Sequence, residues 1–205
     1  VPVVAFMVTV PPLALVPLAT AFGGVPFETT RTALRSEYHR TIAALDATFE
    51  QVLETALIVH EALDGLKMPN YVKTTGSRGL HIYVPIVRGP NQKEVWGFTK
   101  AFALGLQRFR PKLITAEYRI DKRPPRHVLV DYNQNAWGRT LASVYSLRPH
   151  PKAAVSTPIT WDEVRRGVRI EDFRIDNAFK RVKKVGDLWS PLLAPGGRIK
   201  LEGFL

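Results

Sequence analysis

The 205-residue chain has no cysteine, which excludes disulfides and cysteine-ligated zinc and leaves only oxygen or imidazole ligands for a metal. It also has no charged residue before Glu28. That apolar start invites a reading as a signal peptide or membrane span. However, Pro2, Pro11, Pro12 and Pro17 would break a spanning helix, and no basic residue precedes the run as a secretory signal requires. A cytoplasmic location with no membrane partner is the expectation. The chain opens on Val1 rather than methionine, and residues 1–45 read as a truncated or mis-framed segment without an assigned role. Internal repeats and low-complexity tracts are also missing. A hydrophobic fraction of 45% argues against disorder of the whole chain.

Acidic residues are scarce where basic ones concentrate. Residues 1–72 hold four Lys/Arg against seven Asp/Glu, whereas residues 73–205 hold twenty-five against eleven. An excess of positive charge on that scale attracts polyanions, nucleic acid above all, by neutralising phosphates and releasing counterions. The alternative at this level is a basic enzyme with an unrelated substrate.

From Thr48 onward the local signals agree. Thr48 and Gln51 form a capping-box pair ahead of Phe49, Val52, Leu53, Ala56 and Leu63 at helical spacing, which Gly65 interrupts. Tyr71–Thr74 and Leu80–Ile86 read as a hairpin about a Gly-rich turn, with Leu80, Ile82, Val84 and Ile86 inward and His81 and Tyr83 on the outward face. Asn91 and Glu94 open a second amphipathic helix, His127–Tyr132 alternates as a strand, Thr160 and Glu163 cap a short helix, and Asn177 is placed to cap a basic one. Strands and helices mix without a βαβ rhythm. The expected fold is therefore α+β, with mixed sheets flanked by helices, over a domain at 46–205.

Three constellations carry chemistry. In Lys73-Thr74-Thr75-Gly76-Ser77-Arg78-Gly79-Leu80-His81, glycines let backbone N–H groups approach a ligand, and hydroxyls and a guanidinium suit phosphate oxygens. An ordinary Gly-rich hairpin reads the same way. In Val130-Asp131-Tyr132-Asn133-Gln134-Asn135, an aspartate at a strand end can hold Mg²⁺ or Mn²⁺ while amides orient phosphate or sugar; it can equally end the strand in an Asx turn. In Tyr145-Ser146-Leu147-Arg148, the arginine can clamp a phosphate or sit in a surface salt bridge.

These segments, in this order and followed by Val155-Ser156-Thr157-Pro158-Ile159-Thr160-Trp161-Asp162-Glu163, resemble the polymerase/primase domain of bacterial DNA ligase D, of the archaeo-eukaryotic primase superfamily. The similarity runs from about Thr48 to about Leu193. It implies a primase-polymerase-like fold and a template-directed nucleotidyltransferase of non-homologous end joining, which fills gaps and extends broken ends with Mn²⁺ or Mg²⁺ as cofactor. The implied partners are DNA with gaps or broken ends, nucleoside triphosphates, Ku and a DNA ligase. By the same resemblance, Asp131 and His81 are catalytic and Asp131 is a metal ligand. Thr75, Arg78, Gly79, His81, Gln134 and Arg148 would bind nucleotide, and Lys73 and Arg139 nucleic acid.

One part of the family pattern is missing. An Asp-x-Asp is expected shortly before the helix that begins near Thr48, because two carboxylates on one strand face bridge two divalent ions. Residues 30–48 offer only Asp46 without a partner two positions away, and Glu37 is too distant to pair with it. The family's N-terminal region for a downstream 5′ phosphate is also unmatched. Three readings follow: a primase-polymerase, a catalytically inactive nucleotide- or DNA-binding remnant, and a degenerate product that does not fold stably.

Overall fold

The computed structural model describes residues 3–9 and 47–204; Glu37 and Asp46 lie outside them. Helix α1 (Phe49–Gly65) starts where its capping box dictates. Thr48 Oγ1 accepts from the Gln51 N–H at 3.3 Å, and Gln51 Oε1 accepts from the Thr48 N–H at 2.9 Å. Helix α2 (Gln92–Phe109) repeats the device with Asn91 and Glu94. Val52, Leu53, Ala56, Val59 and Leu63 of α1, and Val95, Phe98, Ala103 and Leu106 of α2, form the stripes these helices bury.

Both stripes pack on a six-stranded sheet of order β4-β5-β1-β3-β2-β6. The strands are β1 (Val3–Thr9), β2 (Tyr71–Thr74), β3 (Gly79–Pro85), β4 (Ile114–Thr115), β5 (Val128–Asp131) and β6 (Pro158–Ile159). The β4–β5 pair is parallel and every other neighbour antiparallel, which makes the sheet mixed and the fold α+β as expected. Val4, Phe6 and Val8, Leu80, Ile82 and Val84, and Val128 and Val130 all point to the helix side and are fully buried. Phe6 meets Phe102 of α2 at 5.0 Å between ring centroids, and burying one such ring stabilises the fold by roughly 1.5–3 kcal/mol.

Strand alternation sends Ala5, Met7 and Thr9, Lys73, His81 and Tyr83, and Asp131 to the opposite side. One end of that side is closed by Trp189 and by Leu192 of the short helix α5 (Ser190–Leu193), which pack on Ala5 and Tyr83. Tyr83 and Trp189 meet edge to face at 5.0 Å. The other end holds the candidate site. Residues 3–9 thus supply a central strand from a stretch to which the sequence assigned no role.

Helix α3 (Trp161–Arg166) keeps its Thr160–Glu163 capping box and docks on α1 by stacking Trp161 on His60 at 4.0 Å. Helix α4 (Ile175–Val185) departs from expectation. It begins two residues before Asn177, whose side chain instead accepts from the Arg174 N–H at 2.9 Å from the third helical position.

Candidate nucleotide-phosphate site

The turn between β2 and β3 is closed by one hydroxyl. Thr75 Oγ1 accepts from the N–H groups of Ser77 and Gly79, each at 3.1 Å, while the Thr75 N–H donates to the Gly79 carbonyl at 2.8 Å. Gly76 has φ 67°, and a Cβ there would lie 2.5 Å from Arg148 Cγ. A Cβ on Gly79 would lie 2.2 Å from the Val8 carbonyl oxygen. Gly79 therefore serves the approach of β1, and Gly76 the approach of Arg148. The Arg148 N–H bonds the Ala154 carbonyl at 2.9 Å and the Thr74 N–H bonds the Thr157 carbonyl at 2.8 Å, which lays Tyr145–Arg148 over the turn.

A cavity of about 430 Å³ lies between these elements. Met7, Thr9 and His81 of the sheet line it together with Thr75, Arg78, Gln134 and Arg148. Five of the residues expected at a nucleotide are thereby brought together. Asp131 adjoins the cavity through Met7, its partner across β1–β5, and through Gln134. Lys73 lies beside His81 as its cross-strand partner, without lining the cavity. Arg139 stands apart on the surface, where its Nη2 donates to the Tyr118 hydroxyl at 3.0 Å.

The outward placement expected of His81 needs correction. It does face away from the helix side, but that face is covered: His81 is 3% exposed and its Nδ1 has no hydrogen-bond partner. Lys73 is 1% exposed. Its Nζ donates to Ser156 Oγ at 2.6 Å and lies 6.0 Å from the Tyr83 ring centroid. Burial, reinforced by the Arg148 guanidinium, pushes the Lys73 ammonium down to about 7. Burial, with Lys73 and Arg148 adding to it, pushes His81 down to about 3, so its imidazole is neutral at physiological pH. Burial raises the Tyr83 phenol to about 12. The lysine–serine pair is enclosed, since Ser156 is 0% exposed and donates on to the Thr74 carbonyl at 2.8 Å, and it serves to hold β2 rather than to attack a substrate.

Asp131 takes the Asx-turn form that the sequence left open. Oδ1 accepts from the Asn133 N–H and Oδ2 from Gln134 Nε2, both at 2.8 Å. Two of the neighbouring amides are structural. Asn133 accepts from Trp96 Nε1 at 3.1 Å, and Asn135 bonds both backbone groups of Ala5, continuing the ladder where β5 ends.

A divalent hard cation requires several oxygen ligands, carboxylates foremost. On the strand between His81 and Asp131, the two positions facing the cavity are Met7, a thioether, and Thr9, a hydroxyl. Lys73 and Arg148 add positive charge beside them. Among the described residues no group of three or more His, Asp or Glu side chains could hold a metal ion. These donors do not fit the Mn²⁺ or Mg²⁺ that the resemblance implies. Met7 and Thr9 escaped the sequence reading because β1 is apolar on both faces, which hides its alternation.

Fold and site together define an α+β domain with a cationic cavity at one end of a mixed sheet. The chain belongs to the family described as "LigD, primase-polymerase domain", whose sequence model matches residues 36–189. It is 32% identical over 145 residues to the multifunctional non-homologous end joining protein LigD of Mycolicibacterium smegmatis, covering 71% of this chain and 19% of that protein. To the bifunctional non-homologous end joining protein LigD of Bacillus subtilis it is 29% identical over 167 residues, covering 79% and 27%. The chain thus spans about a fifth to a quarter of these relatives. Among solved structures it is similar to the polymerase domain of Mycobacterium tuberculosis ligase D in complex with DNA. The TM-score is 0.66 and the identity 28%, over 71% of this chain and 50% of that one. Among the described residues no helix is long and apolar enough to cross a membrane.

Proposed function

We propose that this chain is a nucleotide- and DNA-end-binding domain of the LigD primase-polymerase type that has lost nucleotidyl transfer. One observation carries the reading: the i, i+2 pair that β1 sets beside Asp131 is Met7 and Thr9, where an Asp-x-Asp would have to stand to bridge two ions. What persists is equipment for anions. Arg78 and Arg148 line the cavity, His81 Nδ1 and Arg148 Nε are buried without hydrogen-bond partners, and Lys73 adds charge from below. A triphosphate supplies acceptors for these donors, and each charge-assisted hydrogen bond contributes about 1.5–3 kcal/mol. The excess positive charge of residues 73–205 suits DNA, and family membership makes Ku and a DNA ligase the partners to seek.

Family membership also favours a second reading, an active template-directed polymerase, which would need metal ligands from beyond the described residues. Calorimetric titration with ATP separates the two. Loss of transfer predicts equal affinity, within about threefold, in EDTA and in Mn²⁺, with Asp131→Ala changing neither. An affinity raised tenfold or more by Mn²⁺ and returned to the EDTA value by Asp131→Ala would overturn it.

A further inference from the structure

Tryptophan is among the residues a fold most readily buries, since each removes roughly 150–250 Å² from water. Trp137 is nevertheless 90% exposed. The other three tryptophans are half-buried or buried, Trp189 at 7%. Trp137 lies on the loop between Gln134 and Thr140, both of which line the cavity. Two positions along, Arg139 bonds the hydroxyl of Tyr118, itself 53% exposed, which joins this loop to the segment that follows β4. Arg123 fixes that segment from within by donating to the Glu117 and Tyr118 carbonyls, each at 2.8 Å.

The surroundings are cationic. Lys122, Arg126 and Arg139 are exposed and Arg123 is half-buried, while the carboxylate of Asp121 is already bonded to Arg119 at 2.9 Å. An exposed indole and phenol among guanidinium and ammonium groups can stack bases while the cations neutralise the phosphates between them, a combination that recognises unpaired strands without reading sequence. A paired duplex hides its base faces, and a protein surface would not call for so much positive charge.

We propose that Trp137, with Tyr118 and Arg139, forms a stacking surface at the mouth of the cavity for the unpaired strand of a nucleic-acid end. This rests on the nucleotide-site reading for its context but not for its test. It specifies the form of the DNA end: a single-stranded overhang, led past Trp137 toward the cavity.

The indole of Trp137 is its own probe. Titrating the protein with oligothymidylate at low salt should quench its emission saturably. Trp137→Ala should abolish the quenching and weaken binding, followed by anisotropy of a labelled oligonucleotide, by about five- to a hundredfold, the range spanned by stacking one base. Trp137→Phe, which keeps an aromatic face, should retain most of the affinity, and a blunt duplex should bind more weakly than the single strand. Persistence of this binding in an Arg148→Ala variant whose ATP affinity is weakened would support a surface distinct from the nucleotide cavity. The proposal is overturned by unchanged affinity in Trp137→Ala, by equal affinity for blunt duplex and single strand, or by quenching with anionic vesicles and not with the oligonucleotide.

Discussion

Replacing Lys73 by methionine should stabilise the protein at acidic and neutral pH, by a margin that shrinks as the pH rises from 7 towards 10.5. The ammonium is 1% exposed, and burial lowers its proton affinity from 10.5 to about 7. That difference corresponds to about 4–5 kcal/mol of penalty for keeping the buried group charged, at roughly 1.4 kcal/mol for each tenfold change. Between pH 7 and 10.5 the unfolded chain binds more protons than the folded one, so stability rises with pH across that window and the full penalty applies below it. His81, lowered to about 3, acts in the same direction at more acidic pH. Methionine preserves the unbranched volume and removes the charge, giving up the hydrogen bond to Ser156, worth about 0.5–1.5 kcal/mol. Ser156 keeps its own donation to Thr74. The expected outcome is a variant about 3 kcal/mol more stable at pH 6 and nearly equal to wild type at pH 10, where the remaining penalty and the lost hydrogen bond, each about 1 kcal/mol, offset one another. Urea denaturation at the two pH values measures both. Equal differences at pH 6 and pH 10 would refute the claim that Lys73 is a buried, titrating cation.

The same chemistry gives ligand binding a pH dependence: ATP affinity should fall as pH rises through 7, with proton uptake on binding detectable by calorimetry in buffers of different ionisation heat. Arg148→Ala and Arg78→Ala should each weaken ATP binding by roughly tenfold or more, through loss of a charge-assisted donor. Unaltered affinity in both would show that the cavity is not the nucleotide site. Gly79→Ala should destabilise the fold by about 1–3 kcal/mol, because the new Cβ would meet the β1 backbone at Val8 and Thr9, which cannot move aside. A melting temperature equal to wild type would contradict the packing of β1 against the turn.

Much of this was legible in the sequence because local signals and tertiary structure agree. The capping boxes at Thr48, Asn91 and Thr160 mark three helix starts correctly, and the glycine-rich turn yields a hairpin. The cavity assembles Thr75, Arg78, His81, Gln134 and Arg148 from motifs far apart in the chain, through pairings such as Leu147 with Val155 that no local signal announces. The depth of His81 and Lys73 was not legible. Outward alternation names a face, not what covers it, and here the cover comes from residues more than sixty positions away. Strand β1 was the larger omission. A sheet centre apolar on both faces carries no period of two, and its pairing with Gly79–Pro85 and Asp131 is entirely non-local.

Primer extension on a gapped duplex with Mn²⁺, comparing the wild-type chain with the Met7→Asp/Thr9→Asp variant, tests most directly whether the strand beside Asp131 has lost its carboxylate pair. The variant sets three carboxylates on adjoining strand positions and should acquire Mn²⁺ binding that the wild type lacks, measurable by electron paramagnetic resonance alongside extension. The wild type should bind ATP without adding nucleotides. Addition by the wild type that disappears in Asp131→Ala would contradict it.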